Sequence, residues 1–140
     1  MKKRVIRSSV IIIVLAMLLS SAVFAAMEAS HYITYYNSYI TRSGNTVKVN
    51  IDVVGTGIMD KIGATEIYLY ERANSSSSWT LVQTYLSSDP AYASDMIDSN
   101  ASFKNDYVSY SGNSSYQYKA YVTIYAEKDG GSDSRDVLAY

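Results

Sequence analysis

Cysteine is absent from this 140-residue sequence, and histidine, proline and tryptophan each occur once. Without cysteine the chain has no disulfide, no thiolate nucleophile, no thiolate zinc site and no lipid-modified cysteine. With His31 as the only imidazole, zinc would depend mainly on carboxylates, and a Ser-His-Asp arrangement would need that one ring held rigidly by a third group. We therefore interpret His31 as an ordinary surface or terminal residue and predict that the protein is not an enzyme.

Long apolar runs are scarce, and the most apolar one lies near the N-terminus. A basic head from Lys2 to Arg7 precedes ten apolar residues (10–19), and Val23 and Ala25 place small side chains at the −3 and −1 positions of a cleavage site. This order is typical of a secretory signal peptide. Ten residues are fewer than the roughly 20 that span a membrane. We predict a signal peptide helix at 1–25, cleaved after Ala25, and one exported domain at 26–140 with no membrane span.

Cleavage there would change the charge balance of the chain. Four of the 12 Lys and Arg residues lie in the segment removed, so 8 cationic side chains would face 13 Asp and Glu residues, a net charge of −5. An acidic domain repels phosphate backbones, so we do not expect nucleic acid as a partner. The remaining 115 residues suit one domain with a core of its own. We expect a monomer that is secreted, either free or loosely associated with the cell surface.

Tyrosine is the residue that the chain has in excess, with 15 copies, all of them after residue 25. Tyr, Val, Ile and Thr favour strands, and clusters of Gly, Ser, Asn and Asp separate the strand-like runs. The clearest alternation places Val47, Val49, Ile51 and Val53 on one face. We predict an all-β fold, an antiparallel sandwich of about seven strands. The predicted strands are 32–40, 46–54, 65–71, 79–86, 101–110, 116–127 and 134–140.

Two longer connections interrupt this pattern. Residues 55–63 contain three glycines and are predicted to form a loop in which Met59 and Ile62 plug the open end of the sandwich. This loop lacks the Gly-Lys-Ser/Thr ending of a phosphate-binding loop, and a strand pattern follows it. Residues 87–100 are predicted to be irregular.

The run Tyr-Gln-Tyr-Lys-Ala-Tyr-Val-Thr-Ile-Tyr-Ala at 116–126, with Gly-Gly-Ser-Asp-Ser at 130–134, is similar to the sixth strand and following turn of a fibronectin-III domain. In such domains a tyrosine near the start of that strand bonds back to the backbone, the tyrosine corner. The resemblance gives this role to Tyr118 or Tyr116. Since the immunoglobulin cysteines are missing, it implies the fibronectin-III-like variant of the immunoglobulin sandwich, or a relative of it.

Several segments also resemble an uncharacterised family of small exported proteins from Gram-positive, clostridia-like bacteria. The residues are Gly-Thr-Gly-Ile-Met-Asp-Lys-Ile-Gly-Ala at 55–64, Ile-Tyr-Leu-Tyr-Glu at 67–71, Trp-Thr-Leu-Val at 79–82, Tyr-Ala at 125–126 and Gly-Ser-Asp-Ser-Arg at 131–135. The resemblance implies a bacterial, exported protein with this fold, and it implies no activity.

Acidic residues in two loops form a weak candidate for a calcium site. Hard oxygen ligands on loops suit Ca²⁺, but their spacing fits no EF-hand, and Asp in turns commonly bonds its own backbone. We favour the turn interpretation and predict no cofactor, with Ca²⁺ as the minor alternative. The candidate ligands are Asp89, Asp95, Asp98, Asp129 and Asp133.

Outward-facing tyrosines are the strongest indication of function. If the strand at 65–71 lies beside that at 116–127, Tyr68, Tyr70, Tyr121 and Tyr125 share one solvent face. Exposed aromatics with a polar tip stack on sugars or anchor proteins, although cross-strand tyrosines also simply stabilise sheets. We predict a non-catalytic binding module for an extracellular glycan, cell-wall polymer or protein. The alternatives are an assembly protein that pairs through sheet edges and a small secreted hydrolase that uses two carboxylates.

Overall fold

The computed structural model describes residues 30–140, so the predicted signal peptide and its cleavage site lie outside the described residues. Six strands and one short helix make up the described chain, and all strand pairing is antiparallel. In that range there is no helix of the length and apolarity needed to cross a bilayer. The elements are β1 (Ile33–Ser43), β2 (Thr46–Arg72), β3 (Thr80–Leu86), α1 (Ala93–Met96), β4 (Ile97–Ser111), β5 (Gln117–Lys128) and β6 (Gly131–Ala139).

The strands form an all-β sandwich in which β2 belongs to both layers. The first half of β2 pairs with β1 and β4. Its second half pairs with β3 and β5, and β5 in turn pairs with β6. One layer is therefore β1-β2-β4 and the other is β3-β2-β5-β6. The prediction of an all-β sandwich is confirmed.

The predicted loop at 55–63 is wrong, because the chain remains in a strand there and two predicted strands merge into the 27 residues of β2. Residues 55–58 leave the β4 ladder as a bulge between the pairs Val54–Phe103 and Met59–Ala101. The backbone N–H of Thr56 still donates to Tyr32 at 2.9 Å. Glycines predict a loop when taken alone, but here they allow a strand to bulge and pass from one layer to the other.

Gly63 is the position where this passage is tightest. Its φ is +148°, and a Cβ placed on it would overlap the carbonyl oxygen of Met96, at the end of α1. Met96 is itself fully buried. Glycine is required here both for its backbone angle and for the close approach of α1 to β2.

Alternating side chains of both layers meet in one core. The predicted inward series of β2 (Val47, Val49, Ile51 and Val53) is at most 1% exposed. Met59 and Ile62 are buried as expected, although they lie on a strand. The other inward residues come from every strand and from α1. They include Ile33, Ala64, Ile67, Leu69, Tyr85, Met96, Val108, Tyr118, Ala120, Val122, Ile124, Ala126 and Ala139.

Two buried tyrosines form hydrogen bonds from the edge of this core to backbone groups. The Tyr118 hydroxyl accepts from the backbone N–H of Asn113 at 2.6 Å and lies 3.2 Å from the carbonyl oxygen of the same residue. This is the backbone contact predicted for the tyrosine corner, and Tyr118 rather than Tyr116 makes it. Tyr85 of β3 donates to the carbonyl of Ser109 in β4 at 2.8 Å, which ties the two layers together.

The predicted irregular connection at 87–100 contains the single helical turn of α1, and β4 begins at Ile97 rather than at 101. Residues 97, 98 and 99 pair with Gly63, Ile62 and Lys61 of β2. The early start of β4 therefore depends on the unbroken course of β2, which no local pattern in 97–100 indicates.

Replacement of Gly63 by alanine should destabilise the fold strongly, since the new methyl group overlaps backbone and the φ angle is unfavourable. We expect a loss of about 2 kcal/mol or more in the free energy of unfolding, measured by urea denaturation. Gly57→Ala is the matched control, because a Cβ there meets nothing within 4 Å. Equal stability of the two variants would contradict this account of β2.

Removal of the Tyr118 hydroxyl tests the tyrosine corner separately. Tyr118→Phe leaves the buried ring in place and takes away the partner of the Asn113 backbone, so the free energy of unfolding should fall by about 1 kcal/mol. Tyr116→Phe serves as control, because the Tyr116 hydroxyl has no hydrogen bond within the described chain. A larger loss in the control than in Tyr118→Phe would rule out the assignment.

Candidate functional site

The front face, defined as the outer face of the β3-β2-β5-β6 layer, carries the predicted tyrosines. Tyr68 of β2 lies directly opposite Tyr121 of β5, and Tyr70 lies opposite Lys119. The two strands are therefore neighbours, which is the condition for a shared tyrosine face. Leu81 of β3 continues the Tyr70 row on the other side.

Tyr70 and Tyr121 form the centre of an aromatic cluster that also contains two cations. Their rings meet edge to face, with centroids 5.7 Å apart and planes at 85°. The Lys119 ammonium lies 5.6 Å from the Tyr70 ring, 5.2 Å from the Tyr121 ring and 4.9 Å from the Trp79 ring. The Arg72 side chain also packs on Trp79, with its guanidinium carbon 4.4 Å from the centroid of that ring. We call Tyr70, Arg72, Trp79, Lys119 and Tyr121 the cation–aromatic cluster.

Hydrogen bonds hold the Arg72 side chain in this position. Its Nε donates to Oε1 of Gln117 at 2.7 Å, and its Nη1 donates to the carbonyl of Ser75 in the β2–β3 loop at 3.3 Å. Lys119 Nζ is also 3.5 Å from the Tyr121 hydroxyl. Since the guanidinium is fixed from two sides, the positive charge has a defined place on the front face.

Tyr68 and Tyr125 lie outside the cluster. Tyr68 is beside it, and its hydroxyl donates to Glu66 at 3.1 Å. Tyr125 lies four residues beyond Tyr121 on β5, opposite Gly63 of β2 and Ser134 of β6. Its hydroxyl donates to Glu127 at 2.7 Å. The structure therefore brings Tyr68, Tyr70 and Tyr121 together and leaves Tyr125 at the other end of the same face.

The two carboxylates change the acidity of these outer tyrosines. The hydrogen bond to Glu66 raises the pKa of Tyr68 above its ordinary value, and the hydrogen bond to Glu127 does the same to the pKa of Tyr125. In each case a phenolate would lose the bond and face a negative charge. Both hydroxyl groups thus stay protonated donors at neutral pH.

The sequence pattern did not indicate the other three members of the cluster, which are Arg72, Trp79 and Lys119. Lys119 could have been found, since it alternates with Tyr121 on the outward side of β5. Trp79 lies just before β3, and its place beside Lys119 depends on the register between β3, β2 and β5.

The acidic loop residues do not converge. Among residues 30–140 no group of three or more Asp, Glu or His side chains is arranged to hold a metal ion. Asp89 accepts from the backbone of Ala91 at 2.9 Å, as expected for a turn, and Asp133 pairs with Arg135 at 2.8 Å. Asp95 lies in the first turn of α1 and Asp129 in the turn before β6, with a φ of 53°.

Asp98, the remaining calcium candidate, belongs to an ion-pair group around Lys104. Lys104 is 3% exposed, and its ammonium lies 2.6 Å from the Ser94 carbonyl, 2.9 Å from Asp98 and 3.2 Å from Asp106. All three donors of the ammonium are therefore engaged. This group anchors α1 to β4 and is structural.

His31 lies just before β1 and is exposed, with its ring edge-on to Tyr32 at 6.5 Å. Its backbone carbonyl accepts from the Thr56 hydroxyl at 3.0 Å. An exposed imidazole in contact with one tyrosine fits the surface role predicted for it.

No family model matches the sequence, and no curated protein matches it. Among solved structures, the chain shows a low likeness to one titled as a crystal structure of a family 76 glycoside hydrolase from a bovine Bacteroides thetaiotaomicron strain. The TM-score is 0.32 and the identity 13%, over 79% of this chain and 20% of that one. The chain thus spans about a fifth of that protein's length.

The two tyrosine–carboxylate pairs offer a matched test of the front-face geometry. Glu66→Gln should lower the pKa of Tyr68 and leave the pKa of Tyr125 unchanged. Glu127→Gln should lower the pKa of Tyr125 and leave the pKa of Tyr68 unchanged. Each substitution removes one negative charge beside one tyrosine. Carbon NMR titration of the tyrosine rings would measure both values in each variant. A Tyr68 pKa that is the same in Glu66→Gln and in the unmodified protein would contradict the contact.

Proposed function

We propose that this protein is a secreted, non-catalytic binding module whose front face binds an extracellular carbohydrate polymer bearing acidic groups. The cation–aromatic cluster supports this proposal. It holds two positive charges, Arg72 and Lys119, against three aromatic rings on an open face of the sheet. Such a ligand needs aromatic rings that stack on its sugars and cations that pair with its carboxylate or phosphate groups.

The two cations favour an acidic polymer over a neutral one, because they act on it at contact distance, whereas the net charge of −5 acts at long range and is screened by salt. Lys119 lies within 6 Å of three ring centroids, so a neutral sugar would have to displace it in order to stack on those rings. An acidic group can instead pair with the ammonium while sugar carbons contact the exposed parts of the rings. Tyr121, 45% exposed, is the most accessible tyrosine of the cluster.

The alternative of assembly through sheet edges has less support. Within residues 30–140 the long strand β4 pairs only with β2, so its other edge has no strand partner there. Lys104, however, points a charge inward from the middle of this edge strand, and such residues are a common means of discouraging edge pairing. We therefore keep the expectation of a monomer.

The export of the protein and its bacterial origin remain proposals, supported by the order of residues 1–25 and by the resemblance described above. A fibronectin-III-like fold is also proposed. It is supported by the three-strand and four-strand layers that share β2 and by the Tyr118 corner.

Binding to acidic carbohydrate polymers tests the proposed function. Lys119→Met and Tyr121→Ala should each weaken binding about tenfold, because each removes one contact worth about 1–2 kcal/mol. The probes are alginate, hyaluronan and purified Gram-positive cell walls, the walls used before and after acid extraction of their phosphate polymers. The protein used begins at residue 26, since all core residues lie within 33–139.

Lys128→Met is the matched control. It removes the same charge from the same strand about 30 Å away from Lys119 and should leave binding unchanged. Rising salt should weaken the binding of the unmodified protein. Equal binding by Lys119→Met and Lys128→Met, or binding to none of the probes, would overturn the proposal.

A further inference from the structure

The opposite side of the sandwich carries a second aromatic surface that the predicted tyrosine face does not include. We call the outer face of the β1-β2-β4 layer the back face. Three rows of side chains cross the middle of this face, because the outward residues of β2 at 50, 52 and 54 each have a partner in β1 and another in β4. The rows are Tyr35–Val54–Phe103, Asn37–Asp52–Asn105 and Tyr39–Asn50–Tyr107.

The rings at the four corners of these rows are open to solvent. Phe103 is 60% exposed, Tyr35 48%, Tyr39 43% and Tyr107 41%. Phe103 is the clearest case, because it has no polar atom and no aromatic partner within residues 30–140. Together with the three exposed tyrosines it forms an aromatic patch on one face, and exposed patches of this kind mark interaction sites.

The middle row supplies hydrogen-bonding groups between the rings. The side chains of Asn37, Asp52 and Asn105 have no hydrogen bond to any other part of the described chain. The same holds for the hydroxyl groups of Tyr35 and Tyr39. Amide donors and acceptors therefore lie between the two aromatic rows. The rows are about 13 Å apart along the strands, and the rings within a row lie on β1 and β4, which are about 10 Å apart.

We propose that the back face is a second binding site, for an uncharged polysaccharide chain. Aromatic rings would contact the apolar faces of the sugars, and the amide and carboxylate groups of the middle row would bond their hydroxyls. Lys48 and Asp52 are the charged side chains of these strands that face outward here, and they cancel. Lys48 lies 3.7 Å from the centroid of the Tyr107 ring and covers one side of it, so Tyr35, Tyr39 and Phe103 are the exposed rings that have no cation on them within residues 30–140.

A second copy of the protein fits this surface less well. Four rings of about 200 Å² each, roughly half exposed, offer about 400 Å², whereas a stable protein interface buries about 800 Å² on each partner. The flat arrangement with a polar row through its middle suits an extended chain of sugar rings. This site is independent of the front face, which carries the cations.

Affinity electrophoresis in gels that contain hydroxyethyl cellulose, xylan or mannan tests the proposal. At least one of these uncharged polymers should retard the unmodified protein. Phe103→Ala and Tyr39→Ala should each raise the apparent dissociation constant about tenfold or more. Tyr140→Ala, which removes an exposed tyrosine at the chain end, and Lys128→Met, which removes a charge at the end of β5, should leave it unchanged.

Both aromatic variants replace exposed side chains, so thermal unfolding should stay close to that of the unmodified protein. If either fails to fold, the double variant Asn37→Ala with Asn105→Ala takes its place, with the same expected loss. Lack of retardation by all three polymers would overturn the proposal. So would retardation that Phe103→Ala does not change, or a self-association in sedimentation that Phe103→Ala abolishes.

Discussion

The course of β2 is the constraint on which the rest of the structure depends. One strand of 27 residues supplies the centre of both layers, so the positions of β1, β4, β3 and β5 all follow from its register. It can pass between the layers because it bulges at 55–58 and because Gly63 lets the backbone of α1 approach. A side chain at Gly63 would push α1 away and disturb the start of β4. Local backbone freedom at a few glycines therefore determines the pairing of the whole sandwich.

The core does without disulfides by combining aliphatic packing with a few well-placed polar contacts. Val, Ile, Leu and Ala from both layers fill the interior, and Tyr85 and Tyr118 each place a buried ring in it while bonding a backbone group at its edge. Burial raises the pKa of both hydroxyls, so they remain donors. Lys104 plays a similar part beneath α1, where its ammonium is surrounded by oxygen atoms. These contacts fix the layers relative to one another in place of covalent cross-links.

The two outer faces have different chemistry although tyrosine is prominent on both. On the front face cations lie against the rings of the cluster, and the hydroxyl groups of Tyr68 and Tyr125 donate hydrogen bonds to carboxylates. On the back face three exposed rings carry no cation, and amide groups that have no hydrogen bond within residues 30–140 lie between them. Charge therefore distinguishes the ligands proposed for them, an acidic polymer in front and a neutral one behind. The two proposed polymers would not compete for one surface, since the core separates the two faces.

The sequence by itself determined the all-β class, the inward series of β2 and β5, and the outward placement of Tyr68, Tyr70, Tyr121 and Tyr125 on their own strands. Those features follow from a two-residue periodicity that each strand carries within itself. Only the tertiary structure decided that residues 55–63 continue a strand, because their glycines serve a crossing that depends on α1 and β4. It also decided that Trp79 and Arg72 join Lys119, and that Tyr35, Tyr39 and Phe103 share a face. Such groupings depend on register between strands distant in the chain, and a one-residue shift in register would move every side chain to the opposite face.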